Sequence, residues 1–171
     1  VPSSVQTLHK LLDRQDGASP VATLDRSHTA TGSANLKGVA IAHQAGLIMA
    51  ANVNGNTIEV YGTTAGQGAT PLASTALAGN AWDLAYDEAA DRVFLAMTDG
   101  TVLVADNYVA NGFTVGGARV ITPDSAGATS NIHGIAYDAD SDTLVITDVG
   151  DAAVADDGRL YVIESASSAN G

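Results

Sequence analysis

The 171-residue sequence contains no cysteine, which excludes both a disulfide framework and a thiolate metal site. Basic residues are scarce: seven Lys and Arg, two of them lysines, stand against nineteen acids, sixteen of them Asp, for a net charge of -12. Such a field repels phosphate backbones and anionic lipid surfaces, so nucleic acid is not an expected partner. No apolar run approaches the roughly 18 residues that cross a bilayer as a helix, so no membrane insertion is expected. The sequence begins at Val1, without a charged-then-apolar leader. Removal of an export signal accounts for such a start, as does cutting from a longer product. The expectation is an exported chain, extracellular or periplasmic.

Catalytic signatures are missing as well. There is no G-x-S-x-G elbow, H-E-x-x-H, P-loop or G-x-G-x-x-G with a following helix. His9, His28 and His43 make no ligand spacing, and the Gly-rich stretch 62–68 joins two strands instead of opening a helix. No catalytic residue is assigned, and the reading leans away from an enzyme.

What is present is a repeat. "NLKGVAIAHQAGLIMAANVNG" (35–55), "NAWDLAYDEAADRVFLAMTDG" (80–100) and "NIHGIAYDADSDTLVITDVGD" (131–151) align. Asn35, Asn80 and Asn131 open the units; Gly38, Asp83 and Gly134 follow three residues later; Ala40, Ala85 and Ala136 centre the first strands. The starts lie 45 and then 51 residues apart, a period characteristic of stacked supersecondary units.

Local signals within a unit are all β. A short apolar run (Val39 to Ile41, Ile135 to Tyr137) suits a strand buried on both faces. A polar loop leads to a second strand: Leu47 to Ala51, Arg92 to Met97, Thr143 to Thr147. Hairpin turns at Asn54-Gly55-Asn56 and Asp99-Gly100 precede a third: Thr57 to Tyr61, Thr101 to Ala105, Arg159 to Ile163. More polar segments, Thr70 to Leu77 and Phe113 to Ile121, suit an outer fourth strand. Four antiparallel strands per unit of about 45 residues predict an all-β fold of β-propeller blades.

The pattern "N-x-x-G-I-A-Y-D…D-T-L-V-I-T-D…G-R-L-Y-V-I", over roughly residues 35–164, resembles the blade consensus of the NHL, YVTN and SMP-30/gluconolactonase-like propellers. That resemblance implies inner strands around a central channel, with chemistry at its mouth. It also implies an alternative function, a lactonase-type hydrolase holding a divalent cation in the channel. A carbohydrate-binding propeller is the other alternative. The leading expectation is a non-enzymatic module that binds or assembles through blade edges and loops.

Residues 35–79 and 80–130 make two blades and 131–171 an incomplete third, about half of a six-bladed ring. Residues 20–34 hold an outer strand and linker, with the strand at 21–26. Residues 1–19 are expected as a separate helical arm: Ser3 or Ser4 caps it, Val5, Leu8, Leu11 and Leu12 share a face, and Gly17 ends it. Three blades leave apolar flanks open. Either a two-fold dimer closes the ring, each copy lending residues 21–26 to its partner's last blade, or further blades of a longer chain do so, or the arrangement stays open.

Two groups of residues are site candidates. Lys37, Trp82 and His133 occupy one repeat position at the expected channel mouth, where the ring and ammonium groups suit ligand binding. In SMP-30-like propellers, positions of this kind hold a cation through Asn, Asp or Glu; of the three here only His133 is able to ligate. The second group lies in the insertion "DVGDAAVADDG" (148–158): Asp148, Asp151, Asp156 and Asp157 are candidate calcium ligands. Asp138, Asp140 and Asp142 imitate the opening of a calcium loop but lack its sixth-position Gly, and are read as solvated turn acids.

Overall fold

A computed structural model describes residues 35–66, 68–123, 131–151 and 153–171. The helix expected over 1–19 and the outer strand expected at 21–26 lie outside the described residues. Eleven strands form three antiparallel sheets, and no helix occurs among the described residues.

The first sheet contains β1 (Leu36–Ala42), β2 (Leu47–Asn52), β3 (Thr57–Gly62) and β4 (Ala73–Ala76) in that order. The second contains β5 (Ala81–Asp87), β6 (Arg92–Met97), β7 (Val102–Asp106) and β8 (Arg119–Ile121). In the third, β9 (Ile132–Asp138), β10 (Thr143–Asp148) and β11 (Arg159–Glu164) follow one another without a fourth strand. The sheets stack face to face, with β5 between β1 and β9.

Alternation of side chains along each strand assigns every residue to one of two faces. On the second sheet, Leu84, Val93 and Leu95 join Met49, Ile58 and Val60 of the first in one core. From its opposite face, Phe94, Ala96, Val102 and Val104 join Leu144 and Ile146 of the third in another. β6 is therefore apolar at nearly every position, as a strand buried on both sides must be.

Turn chemistry sets the strand ends. Asp91 and Asp142 take positive φ, both 50°, at the first turn of their units, where Gly46 stands at 65° in the first. Gly100 supplies the positive φ of the Asp99-Gly100 hairpin, at 86°. In the first unit that role falls to Asn56, at 51°. Gly55 is needed for space instead, since a Cβ there would come within 2.7 Å of Asn52 Nδ2.

The outer strands are shorter than their sequences suggest. Residues 107–118 leave the sheet because Tyr108 is fully buried between the first two sheets. Its hydroxyl lies 2.8 Å from Thr75 Oγ1, and burial pushes its pKa up to about 12. Thr75 Oγ1 also meets the Phe113 carbonyl at 2.6 Å. This loop covers the first sheet's outer strand and leaves β8 only Arg119 to Ile121.

Between the inner strands, Asp83 ties two sheets together. Its Oδ1 accepts the Leu84 N–H at 2.8 Å and its Oδ2 the Ile135 N–H at 3.1 Å, the latter across to β9. Gly38 of β1 lies directly against it, and a Cβ there would overlap both the Asp83 carboxylate and its Cα. Because backbone cannot yield as a flexible side-chain end does, Gly38→Ala should destabilise by roughly 1–3 kcal/mol, read from urea unfolding.

The carboxylates make stability pH-dependent. Burial alone would raise the Asp106 pKa, but the Arg92 hydrogen bond and charge, joined by Arg119, hold it below the usual range. Asp142 is lowered chiefly by the Ser167 hydroxyl. Depressed carboxyl groups contribute stability above their unfolded pKa and lose it as pH falls through the folded one. The urea midpoint should stay level from neutral pH down to about 5 and drop below about 4, the unfolded Asp value.

Candidate functional site

Each inner strand pairs regularly with its neighbour except near its start. In β1 the register shifts between Leu36 and Val39, which brackets Lys37 and Gly38. In β5 it shifts between Ala81 and Asp83, leaving Trp82 as the extra residue. In β9, Ile132 pairs with Asp148 and Gly134 with Thr147, leaving His133 extra. A bulge residue escapes strict alternation and is re-aimed relative to the strand faces. The same irregularity in three sheets brings Lys37, Trp82 and His133 together.

The rings of Trp82 and His133 lie 4.5 Å apart, tilted by 39°. Lys37 Nζ sits 5.9 Å from the Trp82 ring centroid, at the outer reach of a cation–π contact. Together with Leu36, Gly38, Val39 and Asp83, these residues line an open cleft of about 710 Å³. Trp82 Nε1 and His133 Nε2 are both shielded from solvent and have no hydrogen-bond partner among the described residues. Asp83 offers no comparable freedom, because each of its oxygens accepts a backbone N–H.

The acidic insertion is arranged differently. Asp148 is buried; its Oδ1 accepts the Asn131 N–H at 3.0 Å and the Gly150 N–H at 2.8 Å. Asp157 Oδ2 accepts the Asp151 N–H at 2.8 Å, and Asp151 Oδ1 the Ala153 N–H at 2.8 Å. Asp156 is exposed at a φ of 63°. Among the described residues no group of three or more His, Asp or Glu is placed to hold a metal ion. The four expected calcium ligands are thus not gathered around one point; Asp148, Asp151 and Asp157 instead bond the loop backbone.

The turn acids are not merely solvated. Asp142 accepts the Tyr137 hydroxyl at 2.9 Å, the Ser167 N–H at 2.8 Å and the Ser167 hydroxyl at 2.7 Å. Asp91 does the same with the Tyr86 hydroxyl and the Val109 and Ala110 N–H groups, each at 2.8 Å. They fasten the first turn of a unit to the chain that leaves its third strand. Sequence reasoning missed this because most partners lie 18 to 25 residues away. The recurring Tyr and Asp five residues apart, Tyr86 with Asp91 and Tyr137 with Asp142, was the available signal.

No protein-family model matches the chain, and no curated protein matches it. Among solved structures, one chain of a nidogen/laminin complex is 16% identical with a TM-score of 0.57, covering 77% of this chain and 44% of that one. Hsv2 of Kluyveromyces lactis is 12% identical with a TM-score of 0.47, covering 84% of this chain and 50% of that one. A KlHsv2 form with loop 6CD replaced by a Gly-Ser linker is 15% identical with a TM-score of 0.48, over 72% of this chain and 40% of the other. The sheets are β-propeller blades.

At this identity the likeness is one of fold, and the resemblance to NHL, YVTN and SMP-30-like repeats stands as a propeller resemblance without a specific family. The chain spans half or less of the length of the structures it matches. In blade terms, Asp148 caps the start of the third blade as Asn52 caps that of the first, where Asn52 Oδ1 accepts the Asn35 N–H at 3.1 Å. Asp148→Ala would leave the Asn131 and Gly150 N–H groups without this acceptor and should cost about 2–3 kcal/mol in urea unfolding.

Proposed function

We propose that this chain is an exported, non-enzymatic β-propeller module that works by assembly, two copies closing a six-bladed ring. The observation that carries the reading is the pairing of two exposed apolar strands, β1 and β11; on the rest of the first blade's outward face Ala50, Glu59 and Tyr61 are buried. On the first blade Val39 and Ile41 are each 62% exposed, and on the third Leu160 and Val162 are 63% and 60% exposed. Repeat spacing and register make Val39 and Ile41 the counterparts of Leu84 and Tyr86, which pack on the first blade. Leu160 and Val162 are likewise the counterparts of Ile58 and Val60, which pack on the second. Each exposed strand thus has the side-chain placement of a strand buried elsewhere in the chain, and the two are opposite halves of one blade–blade junction.

A two-fold pair makes that junction twice and brings six blades together. The third blade has no fourth strand beyond β11 among the described residues, and residues 21–26 of the second copy are the strand proposed for it. Additional blades in a longer chain would cover the same faces, and would leave this chain monomeric on its own.

Val162 is 60% exposed in the single chain, so a charge placed there stays hydrated. In the pair that charge would be buried without a partner. Val162→Lys should therefore weaken self-association by at least about a hundredfold in sedimentation velocity, with unchanged circular dichroism. Self-association equal to that of the unsubstituted chain would overturn the proposed junction.

A further inference from the structure

We infer that the cavity at the start of the second blade binds a small aliphatic carboxamide, a primary amide on a short branched alkyl chain. What sets this place apart from its two repeats is the last residue of the second strand. β2 ends in Asn52 and β10 in Asp148, and each side chain accepts the N–H of the asparagine that opens its unit, Asn35 at 3.1 Å and Asn131 at 3.0 Å. β6 ends in Met97, whose thioether is only a weak acceptor. The side-chain amides of Asn35 and Asn131 are held as well, donating to Asn54 Oδ1 at 3.4 Å and to the Gly150 carbonyl at 3.3 Å. Asn80 keeps only the bond its carbonyl accepts from the Thr98 N–H, at 2.9 Å. Among the described residues neither its N–H nor its side-chain amide has a partner.

A cavity of about 290 Å³ opens at this residue, at the small end of ligand pockets, about 300 Å³. Met97, Leu103 and Val120 give it an apolar lining, and Asn80, Thr98 and Asp99 a polar one. Asn80 is half-buried, and its side-chain amide, unlike the Trp82 and His133 ring nitrogens, is not sealed from solvent. Asp99 is exposed; its Oδ1 accepts the Thr101 N–H at 3.0 Å and the Thr101 hydroxyl at 2.7 Å, which leaves Oδ2 open among the described residues.

These groups define the ligand's polar end. A primary amide sets an NH₂ beside a carbonyl, so a second primary amide complements it group for group. The ligand carbonyl accepts from Asn80, and its NH₂ donates to Asn80 Oδ1 or Asp99 Oδ2. A carboxylate would face Asp99 with no cation in the lining, and an ammonium has donors only and would leave those of Asn80 unmet. Met97, Leu103 and Val120 take the alkyl chain, which leaves water as it enters. The site lies within one chain, and none of its lining residues belongs to the β1–β11 junction, so it does not depend on pairing of copies.

The chain has two methionines. Met97 lines the cavity, and Met49 is fully buried in the core away from it. Methyl-labelled methionine therefore gives one resonance that reports the site and one that serves as its control. The full chain is titrated with isovaleramide and, separately, with isovalerate, isopentylamine and acetamide. The Met97 resonance should shift saturably with isovaleramide, at the millimolar affinity so small a ligand allows, while that of Met49 stays in place. Each of the other three should bind at least about fivefold more weakly. Asn80→Ala removes a side chain that makes no hydrogen bond among the described residues. It should weaken isovaleramide binding by about tenfold, the loss of two neutral hydrogen bonds. No saturable Met97 shift, equal or tighter binding of isovalerate, isopentylamine or acetamide, or binding unaltered in Asn80→Ala would each overturn the inference.

Discussion

A sheet with two apolar faces is stable in water only when both are covered, and this constraint governs the whole chain. The middle blade satisfies it completely. Along β6, Val93 and Leu95 are buried toward the first blade while Phe94 and Ala96 are buried toward the third. The third blade satisfies it on one side only: in β10, Leu144 and Ile146 are buried, but Val145 is half-buried and Thr147 exposed. On the first blade Met49, Ile58 and Val60 are inside, and the outward exposure lies along β1 at Val39 and Ile41, while Ala50, Glu59 and Tyr61 of the same face are buried. Two junctions are made within the chain, and the halves of a third lie at its ends.

The same stacking creates the candidate site. Face-to-face blades bring the starts of β1, β5 and β9 side by side, and bulges there release Lys37, Trp82 and His133 from strict alternation. Asp83 is the structural element of this region. It reaches the Ile135 N–H on one side and rests against Gly38 on the other, so its carboxylate joins blades. Neighbouring positions thus divide the labour, with Asp83 holding the scaffold while Lys37, Trp82 and His133 are held up to the cleft.

Much of the fold was legible because it is repeated. Asn35, Asn80 and Asn131 with the central alanines reveal the period, and short apolar runs place the first three strands of each unit within a few residues. The position shared by Lys37, Trp82 and His133 was readable for the same reason, since equivalent positions in stacked repeats come together. What stayed hidden depends on distant partners. Nothing near Tyr108 announces that it would sink beneath Thr75 and truncate β8. Asp148 reads as a loop acid until the Asn131 and Gly150 N–H groups are seen to meet it. Asp142 reads as a surface turn acid until Ser167 folds back onto it. In each case composition identified the residue and only the third dimension its partner.

The central claim is that the exposed strand β1 of the first blade and β11 of the third cover one another between two copies. The mass of the unsubstituted chain in solution tests it most directly. Multi-angle light scattering at micromolar concentration should return twice the chain mass in a single folded species. A folded particle of one chain mass under those conditions would contradict the account.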